Sequence, residues 1–125
     1  MDTNQNYSIH LDERYGFLKL IDIGEVERSV QEEWFNQTLC RVNDCVVRVG
    51  VFKKGEFHWH KHDKEDEFFF VLEGKLVIDF KDRTVELAPK QGIVVPRGVK
   101  HRPRAPERTL VLMVEAVTVT ATGDA

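Results

Sequence analysis

The chain has 125 residues, of which 42% are apolar and 31% charged, with a formal net charge of −3; this suits one globular domain and leaves little room for a second. The mildly acidic balance gives no electrostatic reason to expect nucleic acid or an anionic membrane as partner. No apolar run is longer than Phe68 to Leu72, far too short to cross a bilayer, and the polar start Met1 to Asn6 has no apolar signal-peptide core, so a cytoplasmic protein is expected.

In chain order, residues 1–8 are expected to be loose and residues 9–125 to form one β domain. Residues 9–23 mix apolar and polar side chains (Ile9, Leu11, Phe17, Leu18, Leu20, Ile21, Ile23) and read as one or two short strands. Glu25 to Glu33 is the one plausible helix; at about two turns it is marginal without tertiary packing. Cys40 and Cys45 read as reduced thiols in or near strands, because no second cysteine pair completes a zinc pattern.

From Cys45 onward the pattern is all β. Cys45 to Phe52 is rich in β-branched residues, and Lys53-Lys54-Gly55 marks a turn. Phe57 to His62 alternates aromatic residues with histidine before the charged turn Asp63 to Asp66. Glu67 to Leu72 and Lys75 to Phe80 read as strands joined around Glu73-Gly74. Thr84 to Leu87 and Ile93 to Val95 follow, separated by the break at Pro89 to Gly92; Pro96-Arg97-Gly98 is a tight turn, and Thr109 to Thr120 a long strand. Short strands with regular turn signals point to a sandwich or barrel. Trp59, Phe68 and Phe70 are expected in a core or a dimer interface.

Side chains alternate faces along a strand. His58, His60 and His62 therefore share one face, and a hairpin through Asp63 to Asp66 returns Glu67 beside His62. Two or three imidazoles and one carboxylate come within reach of a single point. The Pro96-Arg97-Gly98 turn places His101 at the start of a new extended segment, as a fourth ligand from a distant strand. Imidazole and carboxylate without thiolate suit Fe, Mn, Ni, Cu or Zn in the divalent state, and the missing thiolate argues against a structural zinc. Phe69 and Val71 share the face of Glu67 and would give the site an apolar wall. Arg48, facing opposite to Val47 and Val49, is the best single candidate for an anionic substrate if it points inward. Arg97, Lys100, Arg102, Arg104 and Arg108 form a basic stretch around His101, read as a solvated loop in which one Arg could anchor an anion.

These residues resemble the two cupin motifs. His60-Lys61-His62, four residues, Glu67, six residues and Gly74 is similar to the first, with Gly55 as its leading glycine one residue closer than usual. Gly92, Pro96-Arg97-Gly98 and His101 is similar to the second; its trailing Asn is replaced by Ala105. Asn43-Asp44, Val47-Arg48, Gly55-Glu56-Phe57, Trp59-His60 and Thr122-Gly123-Asp124 resemble small bacterial single-domain cupins. The resemblance implies an all-β, cupin-type double-stranded β-helix (jelly-roll) barrel with at most one short helix. It also implies His60, His62, Glu67 and His101 as ligands of one divalent transition metal.

His58 is expected beside the ligands, hydrogen-bonded through one ring nitrogen, with replacement of a ligand as the alternative. Four protein ligands leave about two positions of an octahedral ion for water, substrate or dioxygen. The expected function is that of a small metal-dependent dioxygenase, isomerase or lyase acting on a small polar or acidic molecule, with substrate contacts at His58, Arg48 and Phe69. A non-catalytic ligand-binding module is the alternative, and fold alone does not decide between them. The expected partners are a small molecule and a second copy of the chain, with residues 9–23 extending the partner's sheet edge.

Overall fold

A computed structural model describes residues 7–124. Its elements in chain order are β1 (Tyr7–His10), α1 (Ile23–Ser29), β2 (Trp34–Val42), β3 (Cys45–Phe52), β4 (Gly55–Glu56), β5 (Glu67–Glu73), β6 (Leu76–Phe80), β7 (Thr84–Leu87), β8 (Gly92–Val95), β9 (His101–Ala105) and β10 (Thr109–Ala116). A six-stranded sheet has the order β1-β2-β3-β10-β5-β8, and a four-stranded sheet the order β4-β9-β6-β7. Among the described residues, only β1 and β2 pair in parallel; the other ladders are antiparallel. This is the expected jelly roll, with its inner faces closing on one core.

Alternation sorts the core. From β3, Phe52 joins Trp34, Phe57, Phe69, Val71, Leu76, Ile78, Val111 and Met113 between the sheets. Val49 and Val51 point the other way, under Val26 of α1 and against Tyr15, Phe35, Leu39 and Leu110. The strand is therefore buried on both faces, which is why its sequence is an almost unbroken β-branched run.

The first third of the chain departs from the sequence reading. Tyr7 and Ser8, expected to be loose, lie in β1 opposite Trp34 and Phe35; residues 1–6 lie outside the described residues. The strands expected over 9–23 reduce to the end of β1. Arg14 and Tyr15 give their N–H groups to the Thr38 and Leu39 carbonyls, and Leu18 has a positive φ of 66°, so the segment turns rather than extends. The helix begins earlier and ends sooner than expected. Asp22 caps it by accepting from the Glu25 N–H at 3.2 Å, and Val30 is already extended. The strand Thr109 to Thr120 stops at Ala116, where turns at Val119 and Gly123 carry residues 117–124 back over the barrel mouth. Trp59 stands outside the core, with the Arg102 guanidinium 5.3 Å above its ring.

Gly50 allows one close contact in the core. A Cβ there would lie 2.3 Å from the Phe52 ring. That ring cannot swing aside, because it is buried and stacked on Trp34 at 3.9 Å and 14°. Gly50→Ala is expected to destabilise the fold by about 1–3 kcal/mol through overpacking, measured by urea unfolding.

Candidate metal centre

The site is built around one strand irregularity. Gly55 and Glu56 pair with Ala105 and Arg104, and the Phe57 N–H continues that register to the Pro103 carbonyl. The next bridge joins His60 to His101, one residue out of step. The segment thus carries an extra residue between Phe57 and His60, a bulge that breaks strict alternation. Phe57 and His60 both face inward, with their rings 5.1 Å apart. His58 is displaced from the cluster.

His60 and His101 exchange backbone hydrogen bonds at 3.0 and 2.9 Å, which sets their ring centroids 4.4 Å apart. Glu67 opens β5, and His62 precedes the 63–66 turn. That turn is fastened by Asp66, which accepts from Arg97 through the backbone N–H and both sides of the guanidinium fork. The Gly98 N–H bonds the His62 carbonyl at 2.7 Å. His60, His62, Glu67 and His101 are all buried, and one donor atom from each lies within 4.8 Å of the others.

The donor chemistry fits a cation. The Nδ1 groups of His60 and His101 donate to the carbonyls of His58 and Val99, each at 2.9 Å, which leaves each Nε2 of the neutral rings as a lone pair. The His101 Nε2 then faces Glu67 Oε1 at 3.3 Å, and the His62 Nε2 faces the same oxygen at 3.4 Å. Two lone pairs at that distance repel unless a proton or metal ion lies between them. Both ring nitrogens of His62 are buried without a hydrogen-bond partner, a cost that a metal bond would remove at one of them.

Burial, reinforced by His101, pushes the His60 imidazole down to about 4. Burial opposes ionisation of Glu67, but the adjoining His101, His62 and Glu115 side chains hold that carboxyl well below its usual range. Burial also works against a charge on His62, and the adjoining Glu67 outweighs it and raises the imidazole. Glu115, the cross-strand partner of Glu67, is pushed well up by burial and by the Glu67 charge.

The expected neighbours fall in different places. Phe69 is buried, packs edge-on against His101 and lines a cavity with about 20 Å³ of free space. Trp34, Phe57, His60, Glu67 and Ala121 also line it. That space holds roughly one water. Arg48 is fully buried, beside Glu115 at 3.6 Å. His58 lies outside the four-donor group. Its Nε2 meets the Thr122 carbonyl at 2.6 Å and its Nδ1 the Tyr7 hydroxyl at 3.3 Å, so it meets the centre through its own carbonyl and through its ring, 5.3 Å from that of His60. The four arginines of the basic stretch form ion pairs: Arg97 with Asp66, Arg102 and Arg104 with Asp79, and Arg108 with Glu27 and Glu73.

Sequence reasoning passed over Glu115 and Asn36, and took Gly123 only as part of the family-like stretch Thr122-Gly123-Asp124. Glu115 shares parity with the inward Val111 and Met113, and Asn36 with the inward Trp34; a lone polar residue on an apolar face was the available signal. Gly123, at φ 94°, lies so close to His60 that a Cβ would come within 2.5 Å of the His60 Cβ. Nothing local in the sequence announces that contact.

A two-sheet barrel with a histidine and carboxylate cluster inside defines the class of protein. The family model described as "Cupin domain" matches residues 47–117. The chain belongs to the cupin domain family. It is 42% identical over 98 residues to the uncharacterized protein YdbB of Bacillus subtilis (strain 168), covering 78% of this chain and 86% of that one. It is 38% identical over 90 residues to the polyketide synthase CurC of Streptomyces cyaneus, covering 67% of this chain and 58% of that protein's length. A cupin-2 domain containing protein from Shewanella frigidimarina shares the fold with a TM-score of 0.72 and 31% identity, over 78% of this chain and 94% of that chain. No helix among the described residues is long and apolar enough to cross a membrane.

The lowered His60 value has a consequence for the metal-free protein. An unfolded histidine titrates near about 6.5. Between that value and about 4, the unfolded chain binds a proton that folded His60 refuses, so stability rises with pH across the window. The raised Glu115 acts oppositely from about 4.5 upward, and the raised His62 above the window. In a Glu115→Gln background, which removes the opposing carboxyl, the melting temperature of metal-free protein is expected to climb from pH 4 to about 6.5 and to stop climbing beyond it. Calorimetry showing a fall over that interval would contradict a neutral buried His60.

Proposed function

We propose that the chain is a small metal-dependent enzyme, a dioxygenase, isomerase or lyase, acting on a small polar or acidic molecule. In this reading His60, His62, Glu67 and His101 hold one divalent transition metal (Fe, Mn, Ni, Cu or Zn). The observation that carries it is the convergence of four buried donors, two of them facing a single Glu67 oxygen with lone pairs that need a cation. Such an ion, when bound, supplies Lewis acidity toward a carbonyl or water, or electrons if it is redox-active.

The chain's own residues do the rest. The His58 and Val99 carbonyls fix the rings of His60 and His101 so that each Nε2 stays aimed inward. Phe69, Phe57 and Trp34 keep the interior apolar around the reacting groups. His58 positions the 117–124 segment over the mouth through Thr122. The narrow cavity favours a second reading, a module that holds a ligand without converting it; saturable binding with no product across a broad panel of carbonyl, diol and enol compounds would select that reading.

The test is elemental analysis of untagged protein prepared without chelator. About one equivalent of a transition metal is expected. His60→Ala and His101→Ala are each expected to lose most of it, whereas His58→Ala, which keeps the backbone carbonyl, retains most. Protein that holds no metal and takes none up on reconstitution overturns the reading.

We also propose a homodimer. Leu11, Phe17, Leu18 and Leu20 are between 64% and 104% exposed, an apolar cluster on one loop that a second copy would cover. Light scattering is expected to give twice the chain mass, and Phe17→Asp with Leu20→Asp to halve it. A monomer at micromolar concentration in the parent protein refutes the pairing.

A further inference from the structure

The stretch Thr122-Gly123-Asp124 lies along the histidine segment, and its three successive residues meet that segment at His58, His60 and His62 in turn. The Thr122 carbonyl meets the His58 ring at 2.6 Å. Gly123 lies so close to His60 that a Cβ would come within 2.5 Å of the His60 Cβ. Asp124 holds the backbone on both sides of His62. Its N–H bonds the Lys61 carbonyl at 2.8 Å, and its Oδ2 accepts the Asp63 N–H at 2.7 Å. Oδ1 is the oxygen that remains.

His62 is the ring that lacks support. The Nδ1 groups of His60 and His101 are each held by a backbone carbonyl at 2.9 Å. The His62 side chain is 2% exposed, and neither of its ring nitrogens has a hydrogen-bond partner. A ligating imidazole nearly always gives its other N–H to an acceptor. One nitrogen of His62 and one carboxylate oxygen each of Glu65 and Asp124 lie within 4.8 Å of one another. With Nε2 turned to Glu67 at 3.4 Å, Nδ1 is the nitrogen left for those carboxylates. Glu65 is turned to Thr118, whose hydroxyl it accepts at 2.8 Å, whereas Asp124 is fixed beside His62 from both sides. Bringing its oxygen to bonding distance takes a shift of at most about 2 Å. Segment 117–124 has no fully buried side chain, so that shift disturbs no core packing. A cation on Nε2 draws charge from the ring and makes the Nδ1–H a stronger donor toward a carboxylate.

We propose that Asp124 is the positioning residue for His62: its carboxylate takes the Nδ1–H when the four-donor centre is filled, and so ties segment 117–124 to the metal. This rests on the metal-binding reading above and adds a control to it. Filling the centre draws the segment down over the mouth, and a seated segment holds the ion more tightly, by the same factor in both directions.

The test uses the full chain, isotopically labelled, with Zn(II) as probe and metal content measured first. In the loaded parent protein the His62 Nδ1–H is expected to give a resonance protected from solvent exchange, beside those of His60 and His101. The Asp63 and Asp124 amide protons, which flank His62, are expected to exchange about ten-fold more slowly once the protein is loaded. Neither reading needs a variant to fold. Asp124→Asn, which keeps an acceptor for the Asp63 N–H, is expected to weaken Zn(II) binding about ten-fold or more and to lose the His62 resonance while keeping the other two. Glu65→Gln is expected to leave both readings as in the parent. An Asp124→Asn protein with parental Zn(II) affinity, a His62 resonance that survives in it, amide exchange unmoved by loading, or the same losses in Glu65→Gln instead each overturns the assignment. Parent protein that takes up no Zn(II) sinks the metal reading and this assignment with it; full loading with an indifferent Asp124→Asn sinks the role of Asp124 alone.

Discussion

The paired backbone hydrogen bonds between His60 and His101 are the constraint on which the interior depends. They join two segments about forty residues apart in sequence, and each of the two residues offers the centre an imidazole. Because the bonds use backbone atoms, the rings are left free for chemistry, and their Nδ1 groups are held by the adjoining His58 and Val99 carbonyls. The extra residue between Phe57 and His60 makes that pairing possible. It lets one strand turn a phenylalanine and a histidine to the same side, so the aromatic wall and the donor cluster are neighbours.

That arrangement places charge where water is scarce. Glu67 and Glu115 face each other across β5 and β10, and Arg48 of β3 continues the row on the diagonal, opposite Met113; all three are buried. Burying such groups costs several kcal/mol each unless they are matched, and here the matching is partial. Glu115 leans on Glu67 in one direction and on Arg48 in the other, and Arg48 Nε and Nη2 and Glu115 Oε2 keep unused hydrogen-bonding capacity. An apolar row would be more stable by the usual accounting. The polar row is a sign that the interior serves binding rather than cohesion.

Much of this was legible in the residues. The His60-Lys61-His62 and Glu67 spacing and the distant His101 pointed to one cluster, and the β-branched run of β3 pointed to a buried strand. Where the text of the chain misled, the cause was a departure from regular backbone. Strict alternation put His58 with the other imidazoles, and the bulge moves it out. Residues 9–23 looked like strand because they are apolar. Leu11, Phe17, Leu18, Leu20 and Ile21 are instead exposed on a turning loop, tied to β2 by the N–H groups of Arg14 and Tyr15. Gly123 meeting His60 and Glu115 meeting Glu67 are contacts between distant segments, and only the register of the sheets reveals them.

The segment 117–124 lies over the mouth without a fully buried side chain. Its ties to the rest of the chain are single hydrogen bonds: Val117 N–H to the Asp44 carbonyl, Thr118 to Glu65, Thr122 to His58, and Asp124 to the Lys61 carbonyl and the Asp63 N–H. The two sheets beneath it are joined by long ladders and a packed core. Local unfolding of such a flap costs far less than global unfolding. Under the proposed function, ions and small molecules would enter the barrel as these eight residues fray, and mutations that stiffen the core would raise heat resistance while leaving that exchange rate as it was.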